Sequence, residues 1–407
     1  MGKIHIKNIQ DIHGNVVDHG IESEHNLTID GQGLTCLPAL IDTHVHFREP
    51  GDEAKEDWGT ASQAAISGGV TTVIDMPNNY PSCVTRDNML AKKQKIDQKL
   101  ASVDIPLRYH LYFGADRNHF DEISKCREEI AGVKVFMGSS TGTLLVDQQA
   151  DLEHVFQLAA DSDLLVSVHA EDESIIATNQ KIHASNKDPS VHSLIRHPDA
   201  AIAATKRAIT LSEKYGTRLC ILHMSTAEEV ELVRQAKERG VRVFAEATPH
   251  HLFLDQSDYK RLGTKGQMNP PLRTTKDQEA LWKGIQDGTI DFIGTDHAPH
   301  TLDEKHLPYG KAPSGVPSIE QLLPLLLNAY NEGQLTLPQI VKLTRTRAEE
   351  VFRLKPHSDV VLVDLNQKKA VDDGDLKTKC QWSPYHGRVL KGWPVCTILK
   401  GHVYDIG

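Results

Sequence analysis

The sequence predicts an α/β architecture, a (β/α)8 TIM barrel with a small β-sandwich-like domain formed from both termini. Between residues 39 and 355 one rhythm recurs: a short β-branched run, a polar or histidine-bearing stop, then a longer amphipathic segment. That is the pattern of βα units, whose helical crossovers make the strands parallel. The runs number eight, and no glycine-rich phosphate loop follows the first, which favours a barrel over an open doubly wound sheet. The ends differ. Residues 1–38 and 356–407 hold short alternating runs such as Lys3-Ile4-His5-Ile6, Asp359-Val360-Val361-Leu362-Val363 and Cys396-Thr397-Ile398-Leu399 with Gly and Asn turns, so this second domain is read as discontinuous.

In order, the strands are read at Ile41–His46, Thr71–Asp75, Tyr109–Phe113, Gly132–Phe136, Leu165–His169, Leu219–His223, Val241–Ala245 and Phe292–Asp296. Good helix formers fill Asp57–Ser67, Arg86–Leu100, Ala200–Tyr215, Thr226–Arg239 and Lys276–Gln286. Thr226 with Glu229 three residues on has the spacing of a capping box. The stretch from Leu302 to Gly315, rich in Gly, Pro and charge, reads as a long loop in preference to a mobile lid.

Apolar residues make up 39% and charged residues 25% of the 407, which suits a globular protein and not a disordered or fibrous one. The 45 Lys and Arg against 55 Asp and Glu leave a net charge of −10, and no basic run stands out, so a nucleic-acid partner is not expected. An anionic small substrate would have to be drawn by a local cluster of cations. The six cysteines form no C-x-x-C pair, the N-terminus lacks an apolar signal segment, and no run reaches a membrane span. A cytoplasmic protein with reduced thiols is the expectation.

The 22 histidines equal all the aromatics together, which turns attention to metal or proton chemistry. In a barrel, chemistry gathers at the C-terminal ends of the strands, where the loops converge. His44 and His46 end the first predicted strand, His169 the fifth, His223 the sixth and Asp296 the eighth. Residues two apart on a strand point the same way, so His44 and His46 can face a common metal. One H-x-H alone reads equally well as two buried, hydrogen-bonded histidines; the set of five is what points to a metal centre. Lys134, between Val133 and Val135, would carry a costly buried charge. It either pairs with Asp296 or reacts with CO2 to give a carbamate, an anionic ligand able to bridge two metals.

With these residues placed, the chain resembles the dihydroorotases of the amidohydrolase superfamily. The matching segments run in order through the barrel: Leu37 to Gly51, which includes Asp42-Thr43-His44-Val45-His46-Phe47-Arg48-Glu49-Pro50; Gly68-Gly69-Val70-Thr71-Thr72 through Asp75-Met76-Pro77-Asn78-Asn79; and Lys134-Val135-Phe136-Met137-Gly138-Ser139-Ser140-Thr141-Gly142. They continue with Val168-His169-Ala170-Glu171-Asp172, His223-Met224-Ser225-Thr226, Thr248-Pro249-His250-His251, Asn269-Pro270-Pro271-Leu272-Arg273 and Thr295-Asp296-His297-Ala298-Pro299-His300. The resemblance implies two Zn2+ per subunit: one held by His44, His46 and Asp296, the other by His169 and His223, with carboxylated Lys134 and a hydroxide bridging them. It makes Asp296 the general base and acid in the reversible closure of N-carbamoyl-L-aspartate to (S)-dihydroorotate, a step of pyrimidine synthesis.

The same resemblance assigns Arg48, Asn78 and His300 to the ring carboxylate of the substrate, and Asn269 with the backbone of Ala312-Pro313-Ser314-Gly315, chiefly Pro313 and Gly315, to the ring amides. Hydantoinases and dihydropyrimidinases share the metal ligands but lack the Arg-Glu-Pro-Gly, Met-Pro-Asn and Asp-His-Ala-Pro-His set; allantoinases lack the asparagine and the last histidine. An inactive dihydroorotase-like scaffold for aspartate transcarbamoylase would be expected to have lost ligands, and here every position is filled. A homodimer is the expected assembly, with association to aspartate transcarbamoylase open. His250, His251 and His297 read as residues that orient the site. His5, His13, His19, His25, His357 and His402 read as polar surface.

Overall fold

The computed structural model describes residues 2–140 and 144–406; Thr141 and Gly142 of the Lys134-to-Gly142 segment lie outside the described residues. The chain opens with β1 (Gly2–Gln10), β2 (Val16–Ser23), β3 (Leu27–Asp30) and β4 (Thr35–Pro38). Eight barrel strands follow: β5 (Leu40–Val45), β6 (Val70–Asp75), β7 (Arg108–Gly114), β8 (Gly132–Phe136), β9 (Leu165–His169), β10 (Arg218–Ile221), β11 (Val243–Ala247) and β12 (Phe292–Ile293). The chain closes with β13 (Val360–Ala370), β14 (Val389–Leu399) and β15 (His402–Asp405).

The strands β5 to β12 pair in sequence order, each parallel to the next, and form a nearly closed barrel. Alternation along each strand sorts the side chains. On β8 and β9, Val133, Val135, Val166 and Val168 pack outward in the cluster shared with the helices. Ile41, Ile74, Tyr112, Leu165, Cys220 and Phe292 fill the floor of the barrel, with Phe352 beneath, 6.0 Å from Tyr112 and 5.6 Å from Phe292 between ring centroids. Above that floor the inward positions turn polar: Lys134, Ser167 and His169, all buried.

No strand ladder seals the seam between β12 and β5. His46 N donates to His297 O at 2.8 Å, and the fully buried Asp42 carboxylate accepts the Thr295 amide at 2.9 Å and the Thr295 hydroxyl. Burial pushes the Asp42 carboxyl up to about 7.

Strands β1 to β4 and β13 to β15 form a single seven-stranded sheet in which β4 pairs antiparallel to β13, so the two ends of the chain meet. The sheet curls around Ile4, Ile6, Ile9, Ile21, Val360, Leu362 and Ile398.

Local sequence chemistry explains the helices. Asp57 caps Trp58–Ser67 by accepting from Gly59 N at 2.8 Å, and the capping box of Thr226 with Glu229 opens Ala227–Glu238. Four expectations need correction. β11 runs Val243–Ala247, two residues later than read, because Gly240 turns with φ +81° and Val241 and Arg242 serve that connection. β12 is two residues long, and Gly294 to Asp296 continue it as irregular chain fastened by Asp42. Within 356–407, the segment between β13 and β14 leaves the terminal sheet: Trp382 and Tyr385 pack with Leu254, Tyr259 and Leu272 on the barrel. His357 is no surface histidine, since its ring contacts Thr72 Oγ1 at 3.0 Å and Asp359 Oδ2 at 3.0 Å beside Arg345. Among the described residues, no helix is long and apolar enough to cross a membrane.

One buried ion pair braces the mouth. Lys92, 2% exposed on the helix Arg86–Val103, reaches the Asp75 carboxylate at the end of β6 and the Met76 carbonyl at 2.9 Å, and Asp75 accepts the Phe47 amide at 2.9 Å. Removing one partner strands the other charge in the interior. Lys92→Met should therefore destabilise the protein by about 3–5 kcal/mol, read from urea unfolding; a loss below about 1 kcal/mol would show the pair to be solvated.

Candidate metal centre and substrate cleft

Four strand ends deliver one cluster. His44 lies within β5 and His46 just beyond it, past a register shift against β6 between Asp42 and Val45. Asp296 follows β12, and its Oδ1 sits 3.2 Å from His44 Nε2 and 3.1 Å from His46 Nε2. The ligand atoms of these three residues lie within 4.8 Å of one another. Beside them His169, the last residue of β9, turns Nδ1 to within 3.0 Å of His223 Nε2.

The opposite ring nitrogens are held from outside. His44 Nδ1 meets Glu246 Oε1 at 2.8 Å, His46 Nδ1 meets Asn78 Oδ1 at 2.9 Å, and His169 Nε2 lies 2.9 Å from Glu171 Oε2. This pattern leaves one nitrogen of each ring aimed inward, which is how ligand histidines are oriented in metal sites. Burial drives the imidazoles toward the neutral, ligating form: His46 falls to about 3, His169 is lowered and His223 lies well below the usual range. Burial alone would raise Asp296, but His44, His46 and His223 outweigh it and hold the carboxyl well below its ordinary value. The donor set, two nitrogens with a carboxylate and a facing histidine pair, fits divalent metal.

Lys134 projects from β8 into this cluster, 1% exposed, its Nζ 4.7 Å from the centroid of the Phe136 ring. Among the described residues no carboxylate comes within ion-pairing distance of Nζ, so the pairing with Asp296 considered from sequence is not formed. Burial lowers its ammonium to about 8.

A narrow cleft opens beside the cluster. His46 and Asp296 border it together with Arg48, Asn78, Asn269 and Gly315, and Ser140, Ala298 and Ser314 complete the wall. His300 is not in the wall: it stands behind Arg48, 3.2 Å from Nη2, and its Nε2 lies 3.0 Å from Ser314 O. Pro313 is not in the wall either, because its carbonyl accepts from Lys305 at 2.9 Å. The residues from Leu302 to Gly315 are fastened to the barrel through that lysine. His251 is held by Thr248 Oγ1 at 2.8 Å and Pro270 O at 3.1 Å, and His297 Nδ1 accepts the Ser318 amide at 3.1 Å. His250 is buried with no hydrogen-bond partner at either nitrogen among the described residues.

Residues 35–357 match the amidohydrolase family. The chain belongs to that family. It is 39% identical to a dihydroorotase of Halobacterium salinarum over 90% of this chain and 85% of that one, and 34% identical to a dihydroorotase of Bacillus subtilis over 95% and 90%. Among solved structures, an L-hydantoinase (dihydropyrimidinase) from Arthrobacter aurescens superposes with a TM-score of 0.93 at 27% identity, over 100% of this chain and 96% of that one.

Three residues of this amidohydrolase's site escape a reading by strand ends. Glu246 is fully buried inside β11, where it holds His44 Nδ1, Thr43 Oγ1 at 3.0 Å and the His223 amide at 3.2 Å. Glu171 joins His169 to the buried Arg196. His192 Nε2 lies 2.9 Å from Asn269 Oδ1. For Glu246 the available signal was a lone carboxylate in an otherwise apolar run; Glu171, at the head of Glu-Asp-Glu, reads as part of a charged stretch, and His192 carries no signal, because a helix far along the chain brings it in.

Glu246→Gln keeps the volume but removes the charge behind His44. Divalent-metal affinity should fall by about 10- to 100-fold in a chelator-competition titration, with the circular dichroism spectrum unchanged. Equal affinity in the two proteins would leave Glu246 with a packing role alone.

Proposed function

We propose that the protein is a zinc-dependent dihydroorotase, interconverting N-carbamoyl-L-aspartate and (S)-dihydroorotate plus water in pyrimidine synthesis. The observation that carries this reading is Arg48, 5% exposed in the wall of the cleft beside the metal-holding cluster. A buried guanidinium facing a cleft matches a planar carboxylate, and dihydroorotate has a carboxylate that hydantoin and dihydrouracil lack. The relatives named dihydroorotase, at 33–39% identity over most of the chain, support the same choice.

His44, His46 and Asp296 would hold one metal and His169 with His223 the other. Lys134, whose burial makes the neutral amine accessible near neutral pH, would add to CO2, losing one proton, and bridge the two as a carbamate. When bound, the metals supply Lewis acidity toward the ring carbonyl and lower the pKa of water toward 7. Asp296 takes the proton from the attacking water and returns it to the ring nitrogen as the C–N bond breaks; in the closing direction the transfers reverse. Arg48 binds the substrate carboxylate, backed by His300 and assisted by Asn78. Asn269 and the Gly315 backbone meet the ring amides.

A second reading, a hydantoinase or dihydropyrimidinase, is favoured by the structural neighbours. Arg48 separates the two. Arg48→Met should reduce kcat/KM for dihydroorotate by about a hundredfold or more, the scale of a lost charged hydrogen bond, and change any activity on dihydrouracil little. Equal losses on both rings would sink the carboxylate assignment. Asp296→Asn should lower kcat by about a hundred- to ten-thousandfold in the same assay while the protein remains folded; normal turnover would remove Asp296 from proton transfer.

A further inference from the structure

Lys305 ends the short helix Leu302–Lys305 and is fully buried. Its Nζ donates to Gln267 O at 3.0 Å, Pro313 O at 2.9 Å and Gly315 O at 3.0 Å, and lies 5.7 Å from the centroid of the Trp382 ring. An ammonium has three donors and no acceptor, so three carbonyls satisfy it completely. The carbonyls belong to the two segments that wall one side of the cleft. Gln267 precedes Asn269 by two residues, and Pro313 and Gly315 flank Ser314.

Further bonds tighten the same knot. Gln267 Nε2 donates to Ala312 O and Ser314 Oγ, each at 3.1 Å, and Gly315 N donates to Gln267 O at 2.9 Å. Trp382, stacked near the ammonium, donates from Nε1 to His300 O at 2.7 Å, so the residue behind Arg48 is tied to the same place. Lys305 itself does not border the cleft and touches none of the metal-holding residues.

We propose that Lys305 is a positioning residue for substrate recognition, fixing the distance between Asn269 and the Ser314–Gly315 backbone and so the fit of the ring amides. This rests on the reading of the cleft as a dihydroorotate site. Contacts set by that spacing are made in the ground state and the transition state alike, so losing them raises KM and leaves kcat in place.

The test uses the full-length, metal-loaded enzyme. Lys305→Met should raise KM for dihydroorotate by about three- to tenfold, the worth of one misplaced hydrogen bond, with kcat within about twofold and metal content unchanged. Without substrate, the variant should also be cut by trypsin after Lys311 faster than wild type, a readout independent of turnover. If Lys305→Met does not fold, Gln267→Ala removes the Nε2 bonds to Ala312 O and Ser314 Oγ that tie the same two segments, leaves the main-chain carbonyl that Lys305 binds in place, and should give a smaller rise in KM with kcat unchanged. An unchanged KM in a folded variant, or a fall in kcat with no change in KM, overturns the proposal. Should wild type fail on dihydroorotate, the substrate reading falls by itself. The KM comparison then moves to dihydrouracil, whose ring amides meet the same backbone, and the tryptic comparison stands.

Discussion

One buried carboxylate organises the top of the barrel. Glu246 has no exposure to solvent, and its two oxygens take up the His44 imidazole, the Thr43 hydroxyl and the His223 amide. It thereby joins β5, β11 and the end of β10. A buried charge that lost these partners would cost several kcal/mol, so the three neighbours are held as firmly as the carboxylate needs them. The fourth strand makes room for it: a Cβ on Gly294 would come within 2.4 Å of Glu246 Oε2, which is why a glycine stands where β12 passes. The geometry of His44 and His223 follows from this arrangement, and the metal-holding cluster from theirs.

The barrel was legible in the sequence because its strands keep a period of two and end in polar residues at the mouth. Where a polar residue enters a strand, that signal misleads. Glu246 looks like a terminator after Val243-Phe244-Ala245, so β11 was read two residues early, although the carboxylate belongs inside the strand and is satisfied there by residues about 200 positions away. The seam between β12 and β5 was illegible for a similar reason, since the Asp42 side chain and one isolated backbone bridge between Val45 and His297 stand in place of a ladder. Arg48, Asn78, Asn269 and Gly315 border one cleft; the retreat of His300 and Pro313 from the wall depends on Lys305 and Trp382, whose contacts no local pattern announces.

The anionic substrate proposed for this cleft would meet a local cation despite the net charge of −10. Three interior cations are matched to defined partners: Arg196 to Glu171, Lys92 to Asp75 and Lys305 to three carbonyls. Arg48 is placed differently, facing the cleft. Its guanidinium spends Nε on Pro299 O at 3.1 Å and one terminal nitrogen on His300, contacts that orient the fork without neutralising it. Burial together with the Arg48 guanidinium brings His300 down to about 3 and so keeps it neutral. A protonated His300 would repel the guanidinium it supports.

Three of the nine described non-glycine residues with positive φ stand at the mouth. His223, Arg48 and Asp296 have φ of 37°, 63° and 47°, the left-handed region that non-glycine residues avoid. Such conformations cost about 1–3 kcal/mol each and persist only where surrounding structure over-determines them. Each has its restraint: His223 through its amide on Glu246, Asp296 through the Thr295 amide on Asp42 and the His297 amide on Thr295 Oγ1, and Arg48 through the Phe47 amide on Asp75. Three buried carboxylates thus hold three strained residues, and all three residues turn toward the cluster or the cleft. A relaxed backbone at these positions would send the side chains elsewhere. The buried polar network around the mouth is therefore best understood as the structure that stabilises those turns, with the arrangement of His223, Arg48 and Asp296 as its consequence.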